Sequence, residues 1–205
     1  MTIPRAMLIG FAGLLLAALT VAQERSPQPP PPPLIYSAPS DADLVEFSDP
    51  SGSFKATFPG RPTEVVHNSG SIQERHYTVV RSGSMTRVIV LEFQDTIESR
   101  SSEILGNLRK NVSSLTRNPP KELGENPGKI TVETVSEING QTFDLLGYES
   151  TMFFTHLAFH ITGKKLYVIS TDVTNWHILK QFHPKIVNNF NSEADRFLRS
   201  FAIAK

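Results

Sequence analysis

A proline-rich segment near the start of this chain sets where a folded domain can lie. Between Ser26 and Pro39 there are seven prolines, and five of them are consecutive from Pro29 to Pro33. Because proline fixes the backbone φ angle and has no amide hydrogen, such a segment favours an extended polyproline II helix and does not join a core. We therefore interpret residues 23–43 as a stiff spacer that holds a domain away from a membrane or wall. The alternative is a segment that docks into an aromatic groove of a partner.

The residues before this linker have the three parts of a secretory signal. A positive charge at Arg5 is followed by an apolar block from Leu8 to Leu19, and the small residues of Thr20-Val21-Ala22 precede a polar stretch. This order is typical of a signal peptide, here residues 1–22 with cleavage after Ala22. It predicts an extracytoplasmic protein, either periplasmic or secreted. The alternative is an uncleaved anchor, although a membrane-spanning helix needs about 20 apolar residues and this run is shorter.

The composition narrows the classes of function. The chain has no cysteine, and its 20 Lys and Arg residues equal its 20 Asp and Glu residues in number. The lack of cysteine excludes disulfides, thiolate nucleophiles, thiolate zinc sites, iron–sulfur clusters and a lipoprotein anchor. The balanced charge provides neither the basic field of nucleic-acid binders nor a polybasic cluster for anionic lipid. We expect no nucleic-acid partner, and contact with a membrane only through an uncleaved signal.

The rest of the chain, residues 44–205, has the pattern of one domain in which strands dominate. Asn139-Gly140 is the strongest of the turn signals, because both residues tolerate a positive φ angle. Val88–Leu91 is apolar on both faces, which predicts a strand in the centre of a sheet. Strands are predicted at Phe54–Phe58, Gln73–Arg81, Thr86–Phe93, Lys129–Ile138, Gln141–Ser150, Met152–Thr162 and Leu166–Val173.

Two helices complete the predicted domain. Apolar residues recur at helical spacing from Ile97 to Leu115, with Asp95 as a capping residue and Asn118-Pro119-Pro120 as the end. Ser192–Phe201 is predicted as a closing helix, since Ser192 and Asp195 have the spacing of a capping box. Runs of strands separated by one helix and followed by another predict an α+β fold, with an antiparallel sheet packed against helices.

Three segments of this domain, read together, resemble the PsbP-like family. They are Phe54-x3-Phe58-Pro59-Gly60-x-Pro62 after Phe47-Ser48-Asp49-Pro50-Ser51-Gly52, the strand Lys165–Ser170 and the closing segment Ala194–Phe201. The resemblance extends from about Leu44 to Ala202, and it is greatest to uncharacterised bacterial exported proteins with the Phe-Pro-Gly-x-Pro opening. It implies an antiparallel sheet between helices, a single-domain PsbP-like sandwich.

The resemblance also has implications for function. Well-studied members of the fold act without catalysis, as accessory subunits that bind a larger assembly. One is an extrinsic subunit of photosystem II, and another binds a small nuclear-transport GTPase. The fold brings no invariant catalytic residues, so none is transferred to this chain, which also lacks a recognisable photosystem-specific segment.

The residues themselves indicate no catalytic, cofactor or metal site. His156 and His160 are four residues apart, but Met152–Thr162 is predicted as a strand, in which four residues span about 13 Å. Two zinc ligands must each lie about 2 Å from the metal, so the pair does not share one ion easily. Both are expected on the strand face opposite Leu157. The other four histidines, His67, His76, His177 and His183, have no partner at a ligand spacing, and phosphate-binding and nucleophile motifs are missing.

The segment Asn175–Phe190 is the least ordinary part of the domain. It contains the only tryptophan of the chain and is long for a connection. One interpretation is a short helix that covers an edge of the core, ending before Pro184. The other is an aromatic lid or partner patch formed by Trp176, Ile178 and Phe182, because exposed aromatic side chains concentrate at interfaces.

The leading functional hypothesis is a non-catalytic accessory module of the extracytoplasmic space, which binds an unknown protein or envelope component. Two alternatives stay open. One is a carrier of a small apolar ligand held between sheet and helix, with the Trp176 segment as a lid. The other is a hydrolase with an unfamiliar site.

Overall fold

The computed structural model describes residues 40–115, 128–151 and 153–204, so the predicted signal peptide, most of the predicted linker and Asn118-Pro119-Pro120 lie outside these residues. The strands are β1 (Val45–Ser48), β2 (Phe54–Phe58), β3 (Thr63–Ser69), β4 (Ile72–Arg81), β5 (Ser84–Phe93), β6 (Lys129–Ile138), β7 (Gln141–Glu149), β8 (Phe153–Thr162), β9 (Lys165–Thr174) and β10 (Ala202–Ile203). The α-helices are α1 (Ser101–Leu115), α2 (Trp176–Phe182) and α3 (Pro184–Ser200), and 3-10 turns lie at Asp41–Asp43 and Glu98–Arg100.

Seven strands form one antiparallel sheet in the order β3-β4-β5-β9-β8-β7-β6. The predicted hairpins β4–β5, β6–β7 and β8–β9 are confirmed, and β5 pairs with β9 to join them. Val88–Leu91 is fully buried in β5, as its two-sided apolar pattern predicts. At the β6–β7 turn, Asn139 and Gly140 have φ angles of 51° and 75°, the conformation that a tight hairpin turn requires.

One face of this sheet, which we call the α1 face, packs against α1. The helix presents the apolar stripe that its sequence period predicts, and the central strands present alternate residues to it. The buried cluster contains Ile89, Leu157, Phe159 and Val168 from the sheet and Ile104, Leu108 and Val112 from α1.

The opposite face, which we call the α3 face, packs against a small sheet and the two later helices. The small sheet has the order β1-β2-β10, and α3 lies beside it. One cluster on this face contains Val88, Ala158 and Ile169 from the large sheet, Phe54 and Phe58 from β2, and Phe197 and Phe201 from the C-terminal segment. A second cluster contains Phe154, Val173, Trp176, Leu179 and Phe190. The antiparallel sheet between helices is thus the α+β architecture that the sequence predicts.

Two predicted helix caps are wrong. Helix α3 begins at Pro184 rather than Ser192, and the Ser192 hydroxyl donates to the Asn188 carbonyl, 2.9 Å away, inside the helix. Proline suits the first turn of a helix because the amide hydrogen that it lacks would have no partner there. Before α1, no side chain caps the 3-10 turn; the Ile97 amide instead donates to the Gly163 carbonyl at 2.9 Å.

Three strands escaped sequence-based prediction. All seven residues of β3 are exposed at the edge of the large sheet, so no buried face imposes an alternating pattern. Strands β1 and β10 have four and two residues and exist because both pair with β2. Within the described parts of the chain, no helix has the length and hydropathy that crossing a membrane requires.

Candidate functional site

A cleft of about 170 Å³ lies between α3 and the large sheet, on the α3 face. Ala158 and Thr171 are buried at its base on β8 and β9, and Asn191 and Leu198 line it from α3. Val132 of β6 is 38% exposed and lies at its mouth. The cleft exists because α3 packs against the sheet through its buried residues and leaves a gap beside them, towards β6 and β7.

His156 is the ionisable ring that lines this cleft. Its Nε2 lies 3.1 Å from Oδ1 of Asn191, and its ring contacts Phe154 and Phe190 with centroid separations of 4.7 and 5.9 Å. Phe190 is buried and anchors the first half of α3 to the sheet. Because Asn191 follows Phe190 directly, that anchor also holds the amide over His156.

The environment of His156 favours its neutral form. Burial lowers the pKa of His156 below its ordinary value of 6.5, because the imidazolium loses solvation. The hydrogen bond with Asn191 and the charges of Asp172 and Asp195 oppose this shift but do not cancel it. At neutral pH the ring is therefore uncharged, with one nitrogen donating and the other accepting.

Thr171 supplies an unpaired polar group at the base of the cleft. It is 4% exposed, and its hydroxyl has no hydrogen-bond partner among the described residues. It lies opposite His156 on β8 and opposite Thr86 on β5, so the three form a polar row across an otherwise apolar layer. A buried hydroxyl without a partner costs about 1–3 kcal/mol. A polar group that enters the cleft would recover part of that cost.

A second polar cluster lies on the α1 face of the same strands. The Arg87 guanidinium is 3.8 Å from the Asp172 carboxylate and 3.4 Å from the Ser170 hydroxyl. Burial raises the pKa of Asp172 above its ordinary value of 3.8, although Arg87 and the hydroxyls of Thr155 and Ser170 oppose the rise. Thr155 lies beside the carboxylate without a full hydrogen bond. The arrangement is a buried ion pair rather than a cleft.

The Asp49 network explains one part of the opening motif. Asp49 is buried and accepts hydrogen bonds from the hydroxyls of Ser51 and Tyr77 and, at 3.0 Å, from the Ser53 amide. Burial acts to raise the pKa of Asp49, but these hydrogen bonds outweigh it and lower the pKa. Gly52 completes the turn with a φ angle of 72° and donates to the Asp49 carbonyl. Asp49 therefore closes the β1–β2 turn and ties it to β4.

The structure separates the three residues of the predicted partner patch. Trp176 is 4% exposed and stacks on Phe154 with centroids 4.5 Å apart and an interplanar angle of 14°. It belongs to the core cluster of α2 and α3. Ile178 is half-buried, and Phe182 is 64% exposed. Of the three residues, Phe182 is the one available to a partner.

His156 and His160 have different surroundings although they lie on one strand. His156 and His160 lie on the same face of β8, as predicted, but His160 Nδ1 is 2.7 Å from the Thr142 carbonyl and its ring packs on Phe143. Among the residues that the structure describes, no three potential ligands are placed to hold a metal ion.

His67 and His76 lie close together in space although they are on different strands. They have no partner at a ligand spacing, yet their rings meet across β3 and β4 with centroids 5.7 Å apart. The Glu74 carboxylate lies 2.6 Å from His76 Nε2. The antiparallel register brings the three together, and no sequence signal marks that register because β3 is exposed on both faces.

The cleft itself was missed at the sequence level. Its polar residues lie on three separate elements, and Asn191 is 35 residues from His156. Alternation along β8 does predict that His156 and Ala158 share a face. Which element covers these two residues depends on contacts between distant parts of the chain, such as that of Asn191 with His156.

Similarity to known proteins is confined to structure. The chain matches no family model and no curated protein. Among solved structures, it matches a solution structure of cyanobacterial PsbP from Synechocystis sp. PCC 6803. The chain is similar to a PsbP. The TM-score is 0.49 and the sequence identity 14%, over 88% of this chain and 98% of that one.

This similarity transfers no function or residue role to this chain. A protein from Bacteroides thetaiotaomicron VPI-5482 is also similar, with a TM-score of 0.37 and 15% identity. The match covers 80% of this chain and 49% of the other, so this chain spans about half of that protein's length.

Proposed function

We propose that this protein is a non-catalytic accessory module of the extracytoplasmic space, which attaches to a larger protein through the corner between α2 and α3. The single observation that carries the proposal is the exposure of Phe182. Its side chain is 64% exposed, whereas the other eleven described phenylalanines are buried or half-buried. Burying such a ring contributes about 1.5–3 kcal/mol, which a partner can supply.

The support beneath Phe182 is rigid. Trp176 and Leu179, earlier in the same short helix, are both buried in the core cluster of α2 and α3. The His183 amide then donates to the Leu179 carbonyl at 2.8 Å and closes the last turn. A ring held on a fixed helix loses little conformational freedom on binding, which is the property of interface anchors.

The charge around Phe182 limits the chemistry of the partner. The stretch Val173–Ser192 contains Lys180 and Lys185 and no acidic residue. Lys180 is bound to Glu149 at 2.9 Å and remains 46% exposed. A protein with an apolar pocket and an acidic rim would complement this corner, since the rim steers association and the pocket supplies affinity.

A comparison of three proteins tests the proposal. The exported protein, its Phe182→Ala variant and its Val80→Ala variant are used to retain partners from the cell envelope in about 0.5 M salt, which screens contacts made only between exposed charges. Val80 is 72% exposed on β4 and serves as the control for losing an exposed apolar side chain. We expect one protein to be retained by wild type and V80A, and its purified form to bind F182A about 10-fold more weakly or worse. Equal binding by F182A, or retention of no protein, would contradict the proposal.

The location is tested separately. The predicted signal requires the isolated mature protein to begin at Gln23 and to fractionate outside the cytoplasm. Mass spectrometry of the N-terminal peptide checks the first point. An intact N-terminus on protein found in the cytoplasmic fraction would contradict the extracytoplasmic part of the proposal.

The carrier alternative has one observation in its favour, the cleft beneath α3. Its form differs from the one expected, because Trp176 is part of the core and does not line the cleft. At about 170 Å³, the cleft takes a ligand of one ring rather than a lipid chain.

A further inference from the structure

We infer that the cleft between α3 and the large sheet is a binding site for a small uncharged molecule with a hydrogen-bonding group at one end and an apolar ring or chain at the other. The Thr171 hydroxyl and the His156–Asn191 pair would receive the polar end. Ala158, Ile169 and Leu198 would receive the apolar end. The site lies apart from Phe182, so it stands or falls independently of the proposed accessory function.

Thr171 offers a ligand a buried hydroxyl that has no partner among the described residues. Its side chain points to the α3 face and lines the cleft. It is only 4% exposed, and no described residue forms a hydrogen bond with its hydroxyl. Polar groups buried in native proteins nearly always have a partner. A hydroxyl both donates and accepts, so it can bind a carbonyl, an amide or an alcohol of a ligand.

The wall of the cleft is mainly apolar. Most residues around the cleft are aliphatic, and the two smallest of them, Ala158 on β8 and Ala194 on α3, create the space. Larger side chains at these two positions would fill the gap between helix and sheet. Leu145 and Leu198 line the cleft and are half-buried, so a ligand ring in contact with them would remove apolar surface from water.

The charged groups that line the cleft favour an uncharged ligand. Asp195 is the acidic residue among the described residues that line the cleft, and its carboxylate is bound to Arg199 at 2.7 Å. His156 is neutral at physiological pH for the reasons given above. No unpaired charge in the described lining offers compensation to an ionic ligand, which would lose its hydration on entry.

The volume of the cleft limits the size of the ligand. A cavity of about 150 Å³ lined by apolar side chains holds benzene. This cleft is of about 170 Å³ and is open on one side, so a single ring with a short polar group fits it. Benzamide has this combination and is a suitable probe, and benzoate is a charged analogue of the same shape.

The test is a titration of the exported, ¹⁵N-labelled protein with benzamide, followed by amide chemical shifts. We expect saturable shifts centred on Thr171, His156 and Asn191. Benzoate should bind at least about 10-fold more weakly, because the cleft does not compensate its charge. Shifts that do not saturate, that lie elsewhere on the surface, or that are equal for benzoate would overturn the inference.

Two matched variants locate the polar contact. Thr171→Val keeps the shape of the side chain and removes its hydroxyl, and we expect it to raise the benzamide Kd by about fivefold or more. Thr86→Val makes the same change at the opposite position on β5, 2% exposed and outside the cleft, and should leave the Kd within about twofold. Equal effects of the two variants would overturn the role of Thr171.

A third variant keeps the test decisive if Thr171→Val does not fold. Val132→Trp places a large ring at the exposed mouth of the cleft, where aromatic side chains suit a strand. It should weaken benzamide binding by about fivefold or more, and unchanged binding would overturn the inference. Phe182→Ala should leave the benzamide Kd unchanged, which separates this result from the test of the accessory function.

Discussion

The two faces of the seven-stranded sheet are covered in different ways. On the α1 face, one helix lies over the described core, and its stripe of Ile104, Leu108 and Val112 meets the strands directly. On the α3 face, the cover consists of separate pieces: the small sheet, α3 and α2. These elements do not cover the sheet completely. The cleft lined by His156 and Thr171 is a gap between α3 and the large sheet. A cover made of several elements leaves space for a ligand where a single helix closes the surface.

One phenylalanine after α3 joins the small sheet to the large sheet. Phe201 is 1% exposed and stacks on Phe54 of the small sheet with ring centroids 5.2 Å apart. It also contacts Tyr167 and Phe143 of the large sheet, at 5.7 and 6.0 Å. The Asn139 side chain fixes this end of the chain by donating to the Phe201 carbonyl at 2.8 Å.

The largest expected effect follows from that role. Phe201→Ala should reduce the free energy of unfolding by about 3–5 kcal/mol, because it leaves a cavity where the small sheet meets the large sheet. Leu108→Ala on the α1 face should cost about 2–5 kcal/mol and leave the small sheet intact. Denaturant unfolding gives the energies, and amide hydrogen exchange shows whether β1 and β2 lose protection in F201A alone. Equal protection of β1 and β2 in both variants would break the comparison between the faces.

A loss of unfolding free energy confined to the cluster of α2 and α3 is expected when Trp176 is replaced. Trp176→Ala should cost about 3–5 kcal/mol, because it removes the ring that stacks on Phe154. Phe182→Ala should change stability by no more than about 0.5 kcal/mol, because its side chain is mostly in solvent. Urea unfolding of the two variants measures both values. A large loss in F182A would mean that Phe182 supports the fold, and its exposure would no longer indicate a partner.

The smallest expected effect concerns pH and the α3 face. Because the folded protein lowers the pKa of His156, the unfolded chain binds more protons between that pKa and 6.5. The contribution of His156 to stability is therefore full above pH 6.5 and is lost as pH falls through the folded pKa. The charges of Asp195 on α3 and of Asp172 on the opposite face of the sheet oppose the shift.

Replacement of the ring isolates this contribution. In His156→Gln, the decline in unfolding free energy between pH 7.5 and pH 5 should be smaller than in the wild type. Thr86→Val, which removes no ionisable group, should follow the wild-type curve. Identical curves for H156Q and wild type would show that burial of His156 does not depress its pKa.

Local patterns predicted a large part of the fold and little of the candidate site. The alternation of β8 placed His156 on the α3 face, and the turn at Asn139-Gly140 fixed the β6–β7 register. The partner patch was predicted from the presence of aromatic residues in a long connection. That pattern does not distinguish Trp176, which the core buries, from Phe182, which solvent surrounds, since both lie on one short helix.

The sequence by itself determined the hairpins, the buried centre of β5 and the apolar stripe of α1, because each depends on neighbours within a few residues. Only the tertiary structure decided which residues meet over long separations. Asn191 reaches His156 from 35 residues away, and the Ser200 hydroxyl accepts from the Thr57 amide across 143. Such contacts depend on how whole elements pack, which is a balance of buried area summed over the domain. The cleft, and the unpaired hydroxyl within it, are products of that packing.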